Sequence, residues 1–147
     1  MRGRCGFSLV EVLVVLFILS LITALAAPSF SRTLVSGRMR ASTAQVRATM
    51  ASARAHAVTE GRTRFVVLYL PEGKYGLDND EVPRELPEPI RFGAVHVRGE
   101  EIPGETARVR FYPDGTAEEA EIIIASGDGG ELRVWTDPMT GIAEAGP

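Results

Sequence analysis

The sequence is poor in the residues that most enzyme sites use. It contains one cysteine, Cys5, and two histidines, His56 and His96. A single cysteine excludes an intramolecular disulfide. The chain also lacks a Gly-x-Ser-x-Gly elbow, a glycine-rich phosphate loop and the ligand spacing of a zinc site. These absences leave no catalytic constellation, so we expect a protein that is not an enzyme, with structural or exposed histidines.

Two acidic turns contain oxygen atoms of the kind that bind calcium. They are Asp78-Asn79-Asp80-Glu81 and Asp128-Gly129-Gly130-Glu131. Neither has the alternate-residue ligand spacing of an EF-hand loop. We therefore predict solvated turns, no metal and no cofactor. Cys5 is interpreted as an incidental residue, with lipidation as the alternative because a juxtamembrane cysteine can be acylated.

Acidic residues are missing from a long part of the chain. Between Val12 and Thr59 there is none, whereas nine basic and 17 acidic side chains follow from Gly61 onward. The acidic C-terminal part argues against nucleic-acid binding through a general electrostatic footprint. Arg40, Arg47 and Arg54 recur every seven residues on one helical face. We expect that face to meet solvent or another subunit, with anionic lipid or a nucleic-acid backbone as alternatives.

The longest apolar run extends from Phe7 to Ala27 and carries one charge, Glu11. As a helix its 21 residues would extend about 31 Å, enough to cross the hydrocarbon core of a bilayer. Its Phe, Leu, Ile and Val residues favour insertion by about 4 to 8 kcal/mol, against about 3 kcal/mol for one carboxylate. Residues 7–27 are therefore predicted to be transmembrane, with secretory cleavage after Ala27 as the alternative. Arginines flank both ends, so charge alone does not settle orientation.

A second helical half is predicted over residues 28–60, with a kink at Pro28 and an end at Gly61. A stripe of apolar and small residues runs along it and is expected to cover one face of a sheet. Its members are Phe30, Leu34, Gly37, Ala41, Ala44, Ala48, Ala51, Ala55 and Val58.

Beyond Gly61 the period changes to two and turn residues become frequent, so residues 61–147 are predicted to form a β-rich domain. Five to seven short strands are expected, giving an α+β chain in which a long N-terminal helix packs on an antiparallel sheet or small sandwich. The expected strands are Thr63–Leu70, Lys74–Leu77, Ile90–Val97, Arg108–Tyr112, Glu121–Ala125 and Glu131–Thr136, with Asp78–Pro89 a loop.

Glu11 is the one charged residue in the predicted span, and insertion into a membrane does not account for its presence. A carboxylate this far into an apolar run needs a cationic partner or must reach the interface. A new α-amino group at Phe7, created by cleavage after Gly6, would supply that cation within the same chain or from a neighbouring subunit. We therefore interpret Glu11 as an assembly contact.

The segment Gly6-Phe7-Ser8-Leu9-Val10-Glu11 with the apolar helix after it resembles the class III signal of type IV pilins and type II secretion pseudopilins. The resemblance implies that residues 1–6 are a leader, that a prepilin peptidase cleaves between Gly6 and Phe7, and that Phe7 is N-methylated. It also implies that Glu11 guides assembly with other subunits. The protein would then be a single-pass inner-membrane protein, in contact with lipid, whose C-terminal domain is periplasmic or extracytoplasmic.

The distal chain is similar to the GspH/FimT-like minor pseudopilins. Phe111-Tyr112-Pro113-Asp114-Gly115-Thr116-Ala117 matches that family's Phe-x-Pro-x-Gly-Thr-Ala signature, and Thr140-Gly141 fits its Thr-Gly motif. The tail after Gly141 has no arginine, so nucleic-acid binding there is not supported. The resemblance implies a pilin-like fold and a structural role in protein secretion or pilus biogenesis. The alternative is a membrane-anchored minor pilin that binds DNA or a secreted substrate.

Overall fold

The computed structural model describes residues 8–147, with the side chains of 8–23 and 34–147. One helix, α1 (Leu9–Glu60), precedes nine strands in this part of the chain. The strands are β1 (Arg64–Tyr69), β2 (Lys74–Leu77), β3 (Arg84–Glu85), β4 (Ile90–Val97), β5 (Glu100–Glu101), β6 (Thr106–Phe111), β7 (Ala120–Ser126), β8 (Glu131–Thr136) and β9 (Ala143–Gly146).

The chain divides into two compact units, Met1–Leu34 and Val35–Pro147. The described part of the first unit is the beginning of α1, and every side chain from 8 to 23 is exposed. The second unit contains the remainder of α1 and all nine strands. The predicted kink at Pro28 lies among residues 24–33, outside the described side chains.

The strands of the second unit form two antiparallel sheets. One has the order β3-β2-β1-β6 and the other the order β5-β4-β7-β8-β9. The β1–β2 hairpin turns at Gly73, where φ is +66°. Glycine adopts this left-handed conformation without the steric cost that a Cβ adds.

The predicted strands are confirmed, and three further strands appear. The bounds of β2, β4 and β8 agree with the prediction, whereas β3 (within the predicted loop), β5 and β9 were not predicted. β3 and β5 are two residues long and lie at sheet edges. β9 reads Ala-Glu-Ala-Gly, which has low intrinsic strand preference, and it is held by pairing with β8. Short segments of this kind become strands through their neighbours.

One hydrophobic core joins both sheets to the second half of α1. Val46 and Met50 of the helix are fully buried, as are Val66 of one sheet and Ile122 of the other. The two sheets meet where the rings of Tyr75 and Phe92 pack edge to face, with centroids 6.1 Å apart. The predicted α+β arrangement, a pilin-like helix packed on antiparallel sheet, is confirmed.

The prediction that the alanine stripe covers a sheet is wrong. Its members from Leu34 to Val58 are exposed, and a different face of α1 is buried. That face consists of Met39, Ser42, Thr43, Val46, Thr49, Met50, Ala53 and Ala57. Methionine and valine bury more apolar area than alanine. The hydroxyls of Thr43 and Thr49 donate to the carbonyls of Met39 and Gln45 (2.8 and 3.1 Å), so their burial leaves no unsatisfied donor.

Helix α1 ends as predicted, next to a group of charged side chains. Gly61 has φ +64° and the Arg62 N–H donates to the Ala57 carbonyl (3.2 Å), as in a Schellman motif. Buried Arg64 donates to Glu60 (3.1 Å) and to Asp78 (3.2 Å). Hydrogen bonds from Arg62 first, and then from His56, lower the pKa of Glu60 to about 2. The carboxylate of Glu60 therefore ties the helix end to β1.

Candidate assembly site

The beginning of α1 exposes large apolar side chains all around its axis. Leu9, Phe17 and Ile22 are 77%, 68% and 58% exposed, and the apolar residues between them are exposed as well. A helix that is apolar all round is normally buried in a core or a membrane. The described part of the first unit supplies no sheet to cover it. This surface therefore requires a covering that the described part of the first unit does not supply.

The hydroxyl groups within this apolar segment are satisfied inside the helix. Ser20 Oγ donates to the Phe17 carbonyl and Thr23 Oγ1 donates to the Leu19 carbonyl, both at 2.7 Å. A hydroxyl placed in apolar surroundings is costly unless it finds a partner. These two hydroxyls therefore need no water to satisfy them.

Glu11 lies in the first turn of α1 and is exposed. The Val12 N–H donates to the Ser8 carbonyl (3.2 Å), so helical hydrogen bonding starts just before the glutamate. A carboxylate in a first turn interacts favourably with the helix dipole. Glu11 forms no ion pair with any residue from Ser8 to Pro147 whose side chain is described. Gly6 and Phe7, the predicted cleavage and methylation positions, lie outside the described residues.

Across the described residues, none of the helical structure reaches the length and apolarity of a membrane span. The predicted span of 7–27 includes Phe7 and the side chains of 24–27, which lie outside them.

The first distal motif, residues 111–117, forms a tight loop after β6. Within it the Gly115 N–H donates to the Tyr112 carbonyl (3.0 Å) and the Tyr112 N–H to the Thr116 carbonyl (2.9 Å). Asp114 Oδ1 accepts from the hydroxyl and the N–H of Thr116, at 2.7 and 3.0 Å. These two bonds, the hydroxyl's first, lower the pKa of Asp114. The motif residues are thus used to shape the loop.

The second motif, Thr140-Gly141, lies in the loop between β8 and β9. Asp137 organises this loop, because its carboxylate accepts from the Met139 N–H (2.9 Å) and the Thr140 hydroxyl (2.8 Å). The same bonds, Met139's first, lower the pKa of Asp137. Gly141 has φ +62°, and a Cβ there would overlap the carbonyl oxygen of Gly115. The two motif loops therefore pack directly against each other, which requires glycine at 141.

Arg54 links both motif loops to α1. Its Nε–H donates to the carbonyl of Thr140 (2.8 Å) and to that of Gly115 (3.0 Å). The prediction that Arg54 shares a solvent- or subunit-facing role with Arg40 and Arg47 is therefore wrong, whereas those two are exposed. The heptad spacing placed all three on one face, and only the fold shows that Arg54 reaches the two motif loops.

The other candidate residues take part in local contacts. Asp80 Oδ2 accepts from the Leu77 N–H (2.8 Å), Asp78 pairs with Arg64, and Asp128 accepts a hydrogen bond from Ser126. His56 Nδ1 lies 3.0 Å from Glu60 Oε1. His96 lies on the outer face of the five-stranded sheet, 4.0 Å from Glu121. No group of three or more potential metal ligands occurs within the described part of the chain.

A comparison with known protein families finds a match to the N-terminal segment. Residues 1–27 match the family described as the prokaryotic N-terminal methylation motif. This match supports a type IV pilin or pseudopilin class of protein, processed by a prepilin peptidase and assembled with other pilins. It also indicates anchoring at the inner membrane. Neither the curated proteins nor the solved structures contain a significant match to this chain.

Proposed function

We propose that the protein is a minor subunit of a type II secretion pseudopilus or a related type IV pilus, of the GspH/FimT-like kind. It performs no chemistry of its own, and its action is assembly through the N-terminal helix. The helix is stored in the inner membrane with the β-rich domain on the extracytoplasmic side, and it leaves the membrane when subunits join the filament.

The exposed apolar surface of α1 from Leu9 to Ile22, which lies within the segment that matches the methylation motif, carries this proposal. The surface needs an apolar environment both before and after assembly, which a bilayer and then a bundle of like helices would supply. The two distal motifs, braced by Arg54, support the narrower GspH/FimT-like assignment. Through Arg54 they hold α1 to the loop after β6 and to the loop before β9.

Mass spectrometry of the mature protein tests the proposal. We expect loss of residues 1–6 and one added methyl group on the amine of Phe7. A mature chain that begins at Pro28, or one that keeps Met1, would contradict it. Gly6→Val should block processing, whereas Gly3→Val, a matched change in the same leader, should leave it intact.

The narrower role is tested in a deletion strain. We expect loss of secretion or of piliation, restored by the intact gene product. Unchanged secretion and piliation, with only transformation lost, would favour the DNA-binding alternative.

A further inference from the structure

We propose that the outer face of the five-stranded sheet is a docking surface for the arginine-bearing helix of a second copy. Five residues lie directly opposite one another across all five strands and form what we call the carboxylate–indole row. The row is Glu101, His96, Glu121, Trp135 and Glu144, in the order β5, β4, β7, β8 and β9. The proposal rests on the proposed function, since the second copy is a neighbour in the same filament.

The row points away from the core. The residues adjacent to it along the strands, such as Val95, Ile122 and Val134, are buried, and side chains alternate between the two faces of a strand. His96, Glu121 and Trp135 of the row, together with Glu119, line a cavity of about 280 Å³. The outer face therefore combines a concave surface with acidic and aromatic groups.

The row retains negative charge. Glu121 lies 3.3 Å from Arg133, the one guanidinium that pairs with it. Glu101 and Glu144 form no ion pair with any described side chain. Trp135 is 36% exposed, and its ring covers Gly146, where a Cβ would lie 3.1 Å from the indole. An indole held in place between carboxylates is suited to an arginine-bearing partner.

The helix offers the matching pattern. Arg40, Ala44 and Arg47 are exposed on one face of α1, and neither arginine forms an ion pair within the described residues. Residues seven apart on a helix are separated by about 10.5 Å along the axis. Glu121 and Glu144 lie two strands apart, about 9.5 Å. A helix laid across the strands would place Arg40 and Arg47 at these carboxylates, with the small side chain of Ala44 above Trp135.

The two surfaces cannot meet within one chain. Arg40 and Arg47 share a groove with Leu132 and Ala145, which are adjacent in sequence to Arg133 and Glu144 and so point to the other side of the sheet. Contact must therefore be made between copies, and it joins unlike surfaces. Such a head-to-tail contact gives a ring where its rotation closes and an open helical arrangement where it does not, and the open arrangement is the one that fits a filament.

A charge exchange between two tagged full-length chains in detergent tests the inference. One chain carries Glu121→Arg with Glu144→Arg, and the other carries Arg40→Glu with Arg47→Glu. We expect each altered chain to lose self-association by about tenfold or more, because like charges then face each other. The two altered chains mixed together should associate, which also shows that both are folded. Glu105→Arg with Glu131→Arg, a matched reversal outside the row, should have little effect.

The possible outcomes are distinct. Undiminished self-association of the row variant, or no recovery in the mixture, would overturn the inference. Salt-sensitive duplex DNA binding that is lost with Arg40→Glu/Arg47→Glu, while self-association persists, would overturn it in favour of nucleic acid. Leader removal, measured in the same samples, reports on the proposed function independently of either result.

Discussion

Gly141 packs against the carbonyl of Gly115 so closely that the space holds no Cβ. The contact joins two loops that are 26 residues apart in sequence, and Arg54 of α1 donates to a carbonyl in each. The helix, the loop after β6 and the loop before β9 thus all contact one another at this point. This contact adds to the core packing of Val46 and Met50, which also holds the second half of α1 on the sheets.

Gly141→Ala should destabilise the second unit by about 2–4 kcal/mol, because a left-handed alanine and an overpacked contact both cost free energy. Gly37→Ala is the matched control, since nothing lies within 4 Å of its Cβ position. In a helix interior that change should stabilise by about 0.5–1 kcal/mol. Urea unfolding of the full chain in detergent, followed by the fluorescence of its single tryptophan, measures both. Equal stabilities would show that the two loops do not pack as described.

Arg54→Met should lower the free energy of unfolding by about 1–3 kcal/mol, since it keeps much of the apolar stem but removes the donor to two carbonyls. Arg47→Met, a change of the same chemistry at an exposed position, should shift it by less than about 0.5 kcal/mol. The urea midpoint reports both. A comparable loss at the two positions would contradict the bracing role of Arg54.

Val46→Ala should destabilise by about 1–3 kcal/mol, because Val46 is fully buried and its removal leaves a cavity. Val58→Ala removes the same two methyl groups from a side chain that is 48% exposed, and it should have little effect. This pair, compared by thermal unfolding, identifies the buried face of α1. A larger loss of stability in Val58→Ala than in Val46→Ala would instead identify the stripe that contains Val58 as the buried face.

The carboxylate of Glu60 should make the stability of the folded chain depend on pH. Its pKa falls from an ordinary value of 4.5 to about 2 in the folded chain. A carboxylate with a lowered pKa contributes stability above about pH 4.5, and this contribution is lost as the pH falls towards 2. At neutral pH, the melting temperature of Glu60→Gln should therefore be lower than that of the parent protein. As the pH falls from about 4.5 to about 2, it should decrease less than the melting temperature of the parent does. Glu105→Gln serves as the control, and a pH profile of Glu60→Gln identical to that of the parent would refute the role of Glu60.

Glu11→Ala should leave leader cleavage intact and weaken incorporation into the filament. The carboxylate needs a cation in apolar surroundings, and the new amine of Phe7 is the group expected to supply it. Ser20→Ala, in the same helix, should leave both steps intact, because its hydroxyl bonds only within the helix. Immunoblots of processed protein in membranes and in sheared filaments separate the two steps. Normal incorporation of Glu11→Ala would argue against the ion pair.

Periodicity predicted most of the fold. The switch from a helical period to alternation after Gly61 located the first β-domain residues, and the left-handed glycine ended α1 where expected. The short edge strands could not be predicted, because pairing with neighbours, and not their own composition, makes them strands. The alanine stripe was predicted to be the buried face of α1 because a stripe of alanines has the same period as a stripe of larger residues. Burial favoured the methionines and valine, and the threonine hydroxyls on that face were satisfied by their own helix.

The sequence by itself determined the local chemistry of the N-terminus: a leader motif, an apolar segment and one carboxylate in a first helical turn. These features are recognised by their spacing along the chain, and the sequence shows that spacing directly. Only the tertiary structure decided what Arg54 contacts and which residues form the carboxylate–indole row. Arg54 reaches carbonyls 61 and 86 residues away, and the row depends on the register of five strands. Such contacts arise from how the strands and helix pack together, and no local pattern encodes them.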